Sequence, residues 1–230
     1  MKKLDARLQL VADFVQEDCC LVDVGTDHAY LPVYLMLQHR IRQAIASDVK
    51  PGPLSHAKET IDAAGLAGQI QLRLSDGLDA IAPHEADCVV MAGMGGILIS
   101  QLIQRAGWLK DPQKSLVLQP MTDAPLLRSF LTENGFRLVR ERAAGDKKHA
   151  YTVIKAVYDG VQRCLSPLEA VVGGLDQPLS REEVRFLQKE QASLLKQMRG
   201  LKVAGQTEEA AKLACLYNDL TAVIQGGLIQ

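Results

Sequence analysis

Leu21-Val22-Asp23-Val24-Gly25-Thr26-Asp27-His28-Ala29-Tyr30-Leu31-Pro32 joins a short apolar run to a glycine turn and then to the start of a helix-like run. Strand, tight loop and helix in that order form the setting in which doubly wound α/β proteins hold a nucleotide-like cofactor. Asp27 is the unusual element. It stands where a dinucleotide-binding loop offers only backbone N–H groups, and its carboxylate would repel a pyrophosphate. The loop also lacks the second and third glycines that let a backbone approach a pyrophosphate. A carboxylate here suits a cofactor carrying an ammonium and a sulfonium, so the expected cofactor is S-adenosylmethionine rather than a dinucleotide.

Outward from this stretch, strand-like and helix-like segments alternate. An amphipathic helix carrying Leu4, Leu8, Val11, Ala12 and Val15 precedes it. Strands are expected at 20–24, 44–47, 70–74, 88–92 and 116–119, with helices at 31–38, 53–64, 97–105 and 124–133. Such alternation predicts a parallel sheet covered on both faces. Two further strands, 136–142 and 151–158, are joined by the link Gly145-Asp146-Lys147-Lys148. That link is too short for a parallel crossover, so this pair is antiparallel. A parallel sheet closed by an antiparallel pair is the pattern of a class I, Rossmann-like methyltransferase domain, expected over residues 1–160.

From about residue 161 to 230 the pattern changes. Ser166-Pro167-Leu168-Glu169 and Ser180-Arg181-Glu182-Glu183 both read as capping boxes. Val184, Leu187, Gln191, Leu194, Met198 and Leu201 then recur at steps of three and four, and Leu213, Leu216, Leu220 and Val223 do so after the expected cap Thr207. Two such helices joined by a short loop predict a C-terminal α-helical coiled-coil hairpin. The same seam would serve a dimer, although a monomer is the expected state.

Composition narrows the class. The chain has 230 residues, 47% of them hydrophobic, enough for one α/β domain and a small appendage. No apolar run nears the roughly 18 residues of a membrane span. The stretch Met1-Lys2-Lys3-Leu4-Asp5-Ala6-Arg7 breaks into charge unlike a signal peptide, so a cytoplasmic location is expected. Five cysteines form no C-x-x-C, and three lie in apolar segments; buried free thiols and no metal are expected. Net charge of −1 carries no global case for nucleic acid, which must rest on patches.

Several residues are candidates for chemistry. Asp48 lies 23 positions after Gly25, near the spacing of a ribose-binding carboxylate, though an aspartate capping the next helix would look the same. Asp76-Gly77 would read an adenine edge or be an ordinary turn. Met91-Ala92-Gly93-Met94-Gly95-Gly96 forms a glycine-rich loop that a planar substrate or the methionine tail can approach. Gln119 ends the fifth strand as a possible pocket wall. His28 is a candidate base or a loop residue. Asp5 and Arg7 read most simply as a solvated pair. Positive charge gathers at Arg137, Arg140, Arg142, Lys147, Lys148 and Lys155, and on the hairpin at Lys189, Lys196, Arg199, Lys202 and Lys212. With 4% aromatic residues, any RNA would be read through backbone and shape.

Taken together, D-V-G-T-D-H-A-Y-L-P at 23–32, A-S-D-V at 46–49, S-D-G-L at 75–78, A-G-M-G-G at 92–96, L-Q-P-M at 118–121 and Y-T-V-I at 151–154 resemble the bacterial TrmK family. The likeness spans nearly the whole chain. It implies methylation of N1 of adenine 22 in tRNA, with S-adenosyl-L-methionine held by Gly25, Asp27, Asp48, Asp76, Ala92 and Gly93; Asp23 and Gly77 are candidates for the same cofactor. Beside it, the reading of the residues makes Asp27, His28 and Asp5 the candidate catalytic residues, and Arg7, Tyr30, Gln119, Arg140, Lys147 and Lys148 the candidate substrate and RNA contacts. A small-molecule methyltransferase would share the cofactor loop without needing the basic strands. A non-catalytic RNA-binding module would keep the fold and lose the cofactor.

Overall fold

The computed structural model describes residues 3–145, 149–175 and 178–227; Lys147 and Lys148 lie outside them. Its centre is one seven-stranded sheet of order β3-β2-β1-β4-β5-β7-β6. The strands are β1 (Cys19–Val24), β2 (Ile41–Asp48), β3 (Ile70–Leu74), β4 (Cys88–Gly95), β5 (Ser115–Thr122), β6 (Phe136–Gly145) and β7 (Ala150–Tyr158). The first five pair parallel, and β7 runs antiparallel between β5 and β6. Strand order reverses at β1, whose parallel neighbours β2 and β4 lie on its two sides, and a ligand crevice opens at the carboxyl ends of strands where such a reversal of order occurs.

Helices α1 (Ala6–Phe14), α2 (Tyr30–Leu37), α3 (Pro51–Ala63), α4 (Gly96–Arg105) and α5 (Ala124–Glu133) cover the faces. Two apolar layers result. One gathers Val11, Phe14, Leu21, Leu35, Ile61 and Val90, and the other gathers Val22, Met91, Ile99, Leu118, Leu127 and Ile154. The split follows the pleat of β1, since Leu21 and Val22 point to opposite faces.

Several strands outrun their sequence-based ends, β6 by reaching Gly145 and β2 by spanning Ile41–Asp48. Both β4 and β5 continue past the apolar run, pairing Ala92 with Gln119 and Gly95 with Thr122. The glycine segment is thus an irregular strand end rather than a free loop. Apolar runs mark only the buried part of a strand, and these ends lie at the rim of the sheet. Of the five cysteines, all free, only Cys19 and Cys88 are buried; Cys20 is half-buried, and Cys164 and Cys215 are exposed.

The C-terminal part comprises α6 (Pro167–Val172), α7 (Arg181–Val203) and α8 (Thr207–Gly227). Ser166 and Ser180 make the capping boxes that the sequence signals, with Glu169 and Glu183 as partners. Helices α7 and α8 fold back on one another as a hairpin. Its seam holds Leu187, Leu194, Leu220 and Ile224, and the amide of Gln191 donates to the Thr221 hydroxyl at 2.6 Å. This seam is not isolated, because Ala124 and Ala150 of the sheet domain belong to the same apolar cluster.

Beneath that junction Arg128 and Glu141 form a fully buried ion pair. The Arg128 Nη2 donates to Glu141 Oε1 at 2.6 Å, and Nε reaches both carboxylate oxygens. Its Nη1 donates to the carbonyls of Ala170 and Val171, which lie at the C-terminal end of α6 and lack helical partners. The hydroxyl of Thr152 and the backbone N–H of Gly174 donate to Glu141. At Gly173, φ is +70° and the guanidinium lies against the backbone, so a side chain there would meet the pair. No helix among the described residues is long and apolar enough to cross a membrane.

Candidate active site

A cavity of about 440 Å³ opens at the carboxyl ends of β1 and β4, roofed by the start of α1. That is a usual size for a small-molecule site. Asp5, Arg7, Asp23, Gly25, Asp27, His28, Tyr30, Ala92 and Gly93 all line it, from three separate stretches of chain. Thr26 and Ala29, which sequence reasoning passed over, line it too.

The loop after β1 is held by its backbone. Gly25 and Thr26 both donate their N–H groups to the Ser47 carbonyl, at 2.8 and 2.9 Å. The N–H of Ala29 donates to the Thr26 hydroxyl, and Ala29 itself has φ +52°. A left-handed alanine costs about 1 kcal/mol or more, so the surrounding contacts impose this turn. It leaves the Asp27 carboxylate 72% exposed.

Asp23 contrasts with Asp27. It is 8% exposed, and burial pushes its carboxyl up to about 6, against a hydrogen bond from Thr26 that pulls it down. A buried carboxylate with no ion-pair partner among the described residues gains most from a ligand that brings a positive group. Glycine at 93 has φ +82°, and a Cβ at 96 would lie 2.5 Å from the Asp123 carbonyl. Two of the three glycines there are thus required by the backbone's shape and packing.

Other candidates take structural partners. Asp5 caps α1, accepting the Leu8 N–H at 2.7 Å, while its second oxygen lies 3.8 Å from Arg7. Gln119 is fully buried behind the cavity wall. Its Oε1 accepts from Arg7 Nη1 at 2.7 Å and from the Gly93 N–H at 3.0 Å, so it ties α1 to the glycine segment. Asp48 ends β2 as the spacing predicts, and its Oδ1 accepts the Lys50 N–H at 2.8 Å. Asp76 pairs with Arg105 at 3.2 Å, and Gly77 packs against Leu102. Asp48, Asp76, Gly77 and Gln119 are not among the residues lining the cavity.

The basic strands are partly engaged. Arg140 lies over the Phe14 ring at 4.6 Å, Arg142 donates to Glu183 of α7 at 2.8 Å, and Arg137 faces Asp159 at 3.5 Å. On the hairpin, Lys189 sits 5.0 Å over the Tyr151 ring.

A mixed sheet of this order, with carboxylates at the end of its first strand, defines the class I methyltransferase fold. Residues 4–154 match the model of a methyltransferase domain. The tRNA (adenine(22)-N(1))-methyltransferase of Bacillus subtilis is 35% identical over 166 residues, 69% of this chain and 70% of that protein. The crystal structure of the B. subtilis m1A22 tRNA methyltransferase TrmK superposes with a TM-score of 0.77 at 27% identity, covering 98% of this chain and 99% of that one. Sp1610 of Streptococcus pneumoniae, solved with S-adenosyl-L-methionine, superposes with a TM-score of 0.80 at 32% identity over 95% and 98% of the two chains. The chain belongs to the TrmK family of tRNA (adenine(22)-N(1))-methyltransferases.

Proposed function

We propose that this protein transfers the methyl group of S-adenosylmethionine to N1 of adenine 22 in tRNA. The observation that carries the reading is the cavity itself, where buried Asp23 and exposed Asp27 face a common space at the end of β1. Two carboxylates, one of them desolvated, fit the ammonium and sulfonium of that cofactor and oppose a pyrophosphate.

The cofactor supplies an electrophilic methyl group. Adenine N1 has an in-plane lone pair and needs no base to remove a proton before attack. The protein's work is therefore alignment and exclusion of water. N1 is paired or stacked within an RNA helix, so the base is flipped out to reach the cavity. The product ring carries positive charge, which Asp27 stabilises in this reading. Asp23 and Gly93 hold the cofactor, and Gln119 positions Arg7 and Gly93 against each other. His28 and Tyr30 line the cavity beside Asp27. Asp5 acts through the α1 cap rather than as a base. The exposed part of the basic strands, including Arg140, and the hairpin dock the RNA, and the reading places the enzyme in the cytoplasm with its substrate.

Transfer of labelled methyl from S-adenosylmethionine to unmodified tRNA, followed by nucleoside mapping, tests this directly. Label at N1 of adenine 22 is expected, and its loss when that base is changed. Label appearing only in metabolites would replace the reading with a small-molecule enzyme.

Asp27→Asn isolates the charge of the loop. In single turnover at saturating cofactor and tRNA, the rate is expected to fall about tenfold, or about 1.4 kcal/mol of transition-state stabilisation. A wild-type rate there, with weakened cofactor binding, would restrict Asp27 to binding.

Asp48→Asn keeps an acceptor for the Lys50 N–H and removes the charge. If Asp48 holds the ribose through its other oxygen, calorimetry will show affinity weakened by roughly 1–3 kcal/mol. Unchanged affinity would leave Asp48 as the turn residue its 2.8 Å bond describes.

A further inference from the structure

At the mouth of the cavity, Asp27 has two imidazole neighbours. His28 Nε2 lies 3.4 Å from Asp27 Oδ2, and His56 Nδ1 lies 3.9 Å from Asp27 Oδ1. His56 comes from α3, one turn into the helix, and its ring stacks on that of His28 at 5.0 Å and 18°. The His28 ring also stacks on Tyr30, at 4.9 Å. One ligand atom from each of Asp27, His28 and His56 lies within 4.8 Å of the other two.

We propose that Asp27, His28 and His56 form a binding site for a divalent first-row metal ion, zinc being the type case. Two imidazoles and one carboxylate are the donor set that such ions prefer over magnesium or calcium. Around a tetrahedral zinc ion with bonds of about 2.0–2.1 Å, ligand atoms sit roughly 3.3 Å apart. The His28 contact goes to one Asp27 oxygen and the His56 contact to the other, at 3.4 and 3.9 Å. With one atom taken from each residue the three lie within 4.8 Å of one another, so the exposed His56 must turn toward the ion for its nitrogen to reach it. The His28 ring is held against Tyr30, and His56 must leave its stack on His28 for the two in-plane nitrogen lone pairs to converge on one ion. Three protein ligands leave the fourth position open to water.

An ion held there neutralises the Asp27 carboxylate that lines the cavity, so metal and cofactor exclude one another. This exclusion rests on the cofactor reading above; the metal site itself does not. His56 is outside the cavity lining, which makes it the residue to change.

Cobalt(II) titrated into the full chain reports the site through its visible bands. One ion per chain is expected, without the near-ultraviolet charge transfer of thiolate ligation. The affinity should fall by about tenfold or more in His56→Ala, while S-adenosylmethionine affinity without metal stays at its wild-type value. Saturating S-adenosylmethionine should weaken cobalt binding to the wild-type chain comparably. Binding that is indifferent to His56→Ala, or that shows thiolate charge transfer, overturns the site. His56-dependent binding that ignores the cofactor overturns the exclusion. Failure of the cofactor reading would show separately, as absent S-adenosylmethionine binding in metal-free calorimetry.

Discussion

Glu141→Gln is expected to destabilise the protein by about 3–5 kcal/mol, seen as a lowered midpoint of chemical denaturation. Glutamine fills the same space but leaves the Arg128 guanidinium, which is fully buried, without its counter-charge. Arg128 still donates to the Ala170 and Val171 carbonyls, so it cannot turn out to solvent without stranding the end of α6. Arg128→Met is costly for the complementary reason, since it orphans both the carboxylate and those carbonyls. Combining Arg128→Met with Glu141→Leu should cost clearly less than the two single changes added together, because no buried charge remains. A loss below about 1 kcal/mol for Glu141→Gln would mean that water reaches the pair.

Asp23→Asn is expected to move stability and cofactor affinity in opposite directions. The Asp23 carboxyl is pushed to about 6 in the folded protein, above the 3.8 of a free aspartate. The native state therefore holds a proton that the unfolded chain releases between those values, and stability falls as pH rises through that window. Above pH 6 the ionised group costs about 3 kcal/mol, which asparagine removes, so the variant without cofactor should melt higher at pH 7.5. A bound ammonium favours the ionised form, so wild-type affinity for S-adenosylmethionine should rise with pH up to about 6 and then level off. Asparagine should abolish that slope and weaken binding at pH 7.5. A pH-independent affinity in the wild type would show that Asp23 does not face the cofactor's charge.

Much of this could be read from local pattern. Period and turn chemistry determine strand and helix identity, so the alternation from β1 to α5 and both capping boxes were legible. So was the place of the loop at 25–30, because the apolar run ends there in a glycine turn. Beyond that, the sequence is a poor guide to the reach of a strand whose rim is not apolar, which is why β4 and β5 run on to Gly95 and Thr122. Which side chain faces which was hidden as well. Gln119 reads as a pocket wall, yet 112 positions of chain separate it from the Arg7 it holds. Asp5 and Arg7 look like a solvated pair, but one caps a helix and both line the cavity. His56 gives no signal at all, being an isolated histidine in a helix that the fold carries up to Asp27. Arg128 and Glu141 look like any surface charges, since only tertiary burial distinguishes them.

The Arg128–Glu141 pair also sets an order of events during synthesis. Both charges leave the ribosome before Ala170, Val171 and Gly174, the residues that complete their hydrogen bonds. At about 5–20 residues per second, the 46 residues from Arg128 to Gly174 take roughly 2–9 s to appear. Until then a nascent sheet domain must keep two charges hydrated at a position that the finished protein dries completely. The helical tail therefore acts late, as the seal on a domain translated ahead of it, and a chain that stops at the end of β7 stays at the stage before that seal.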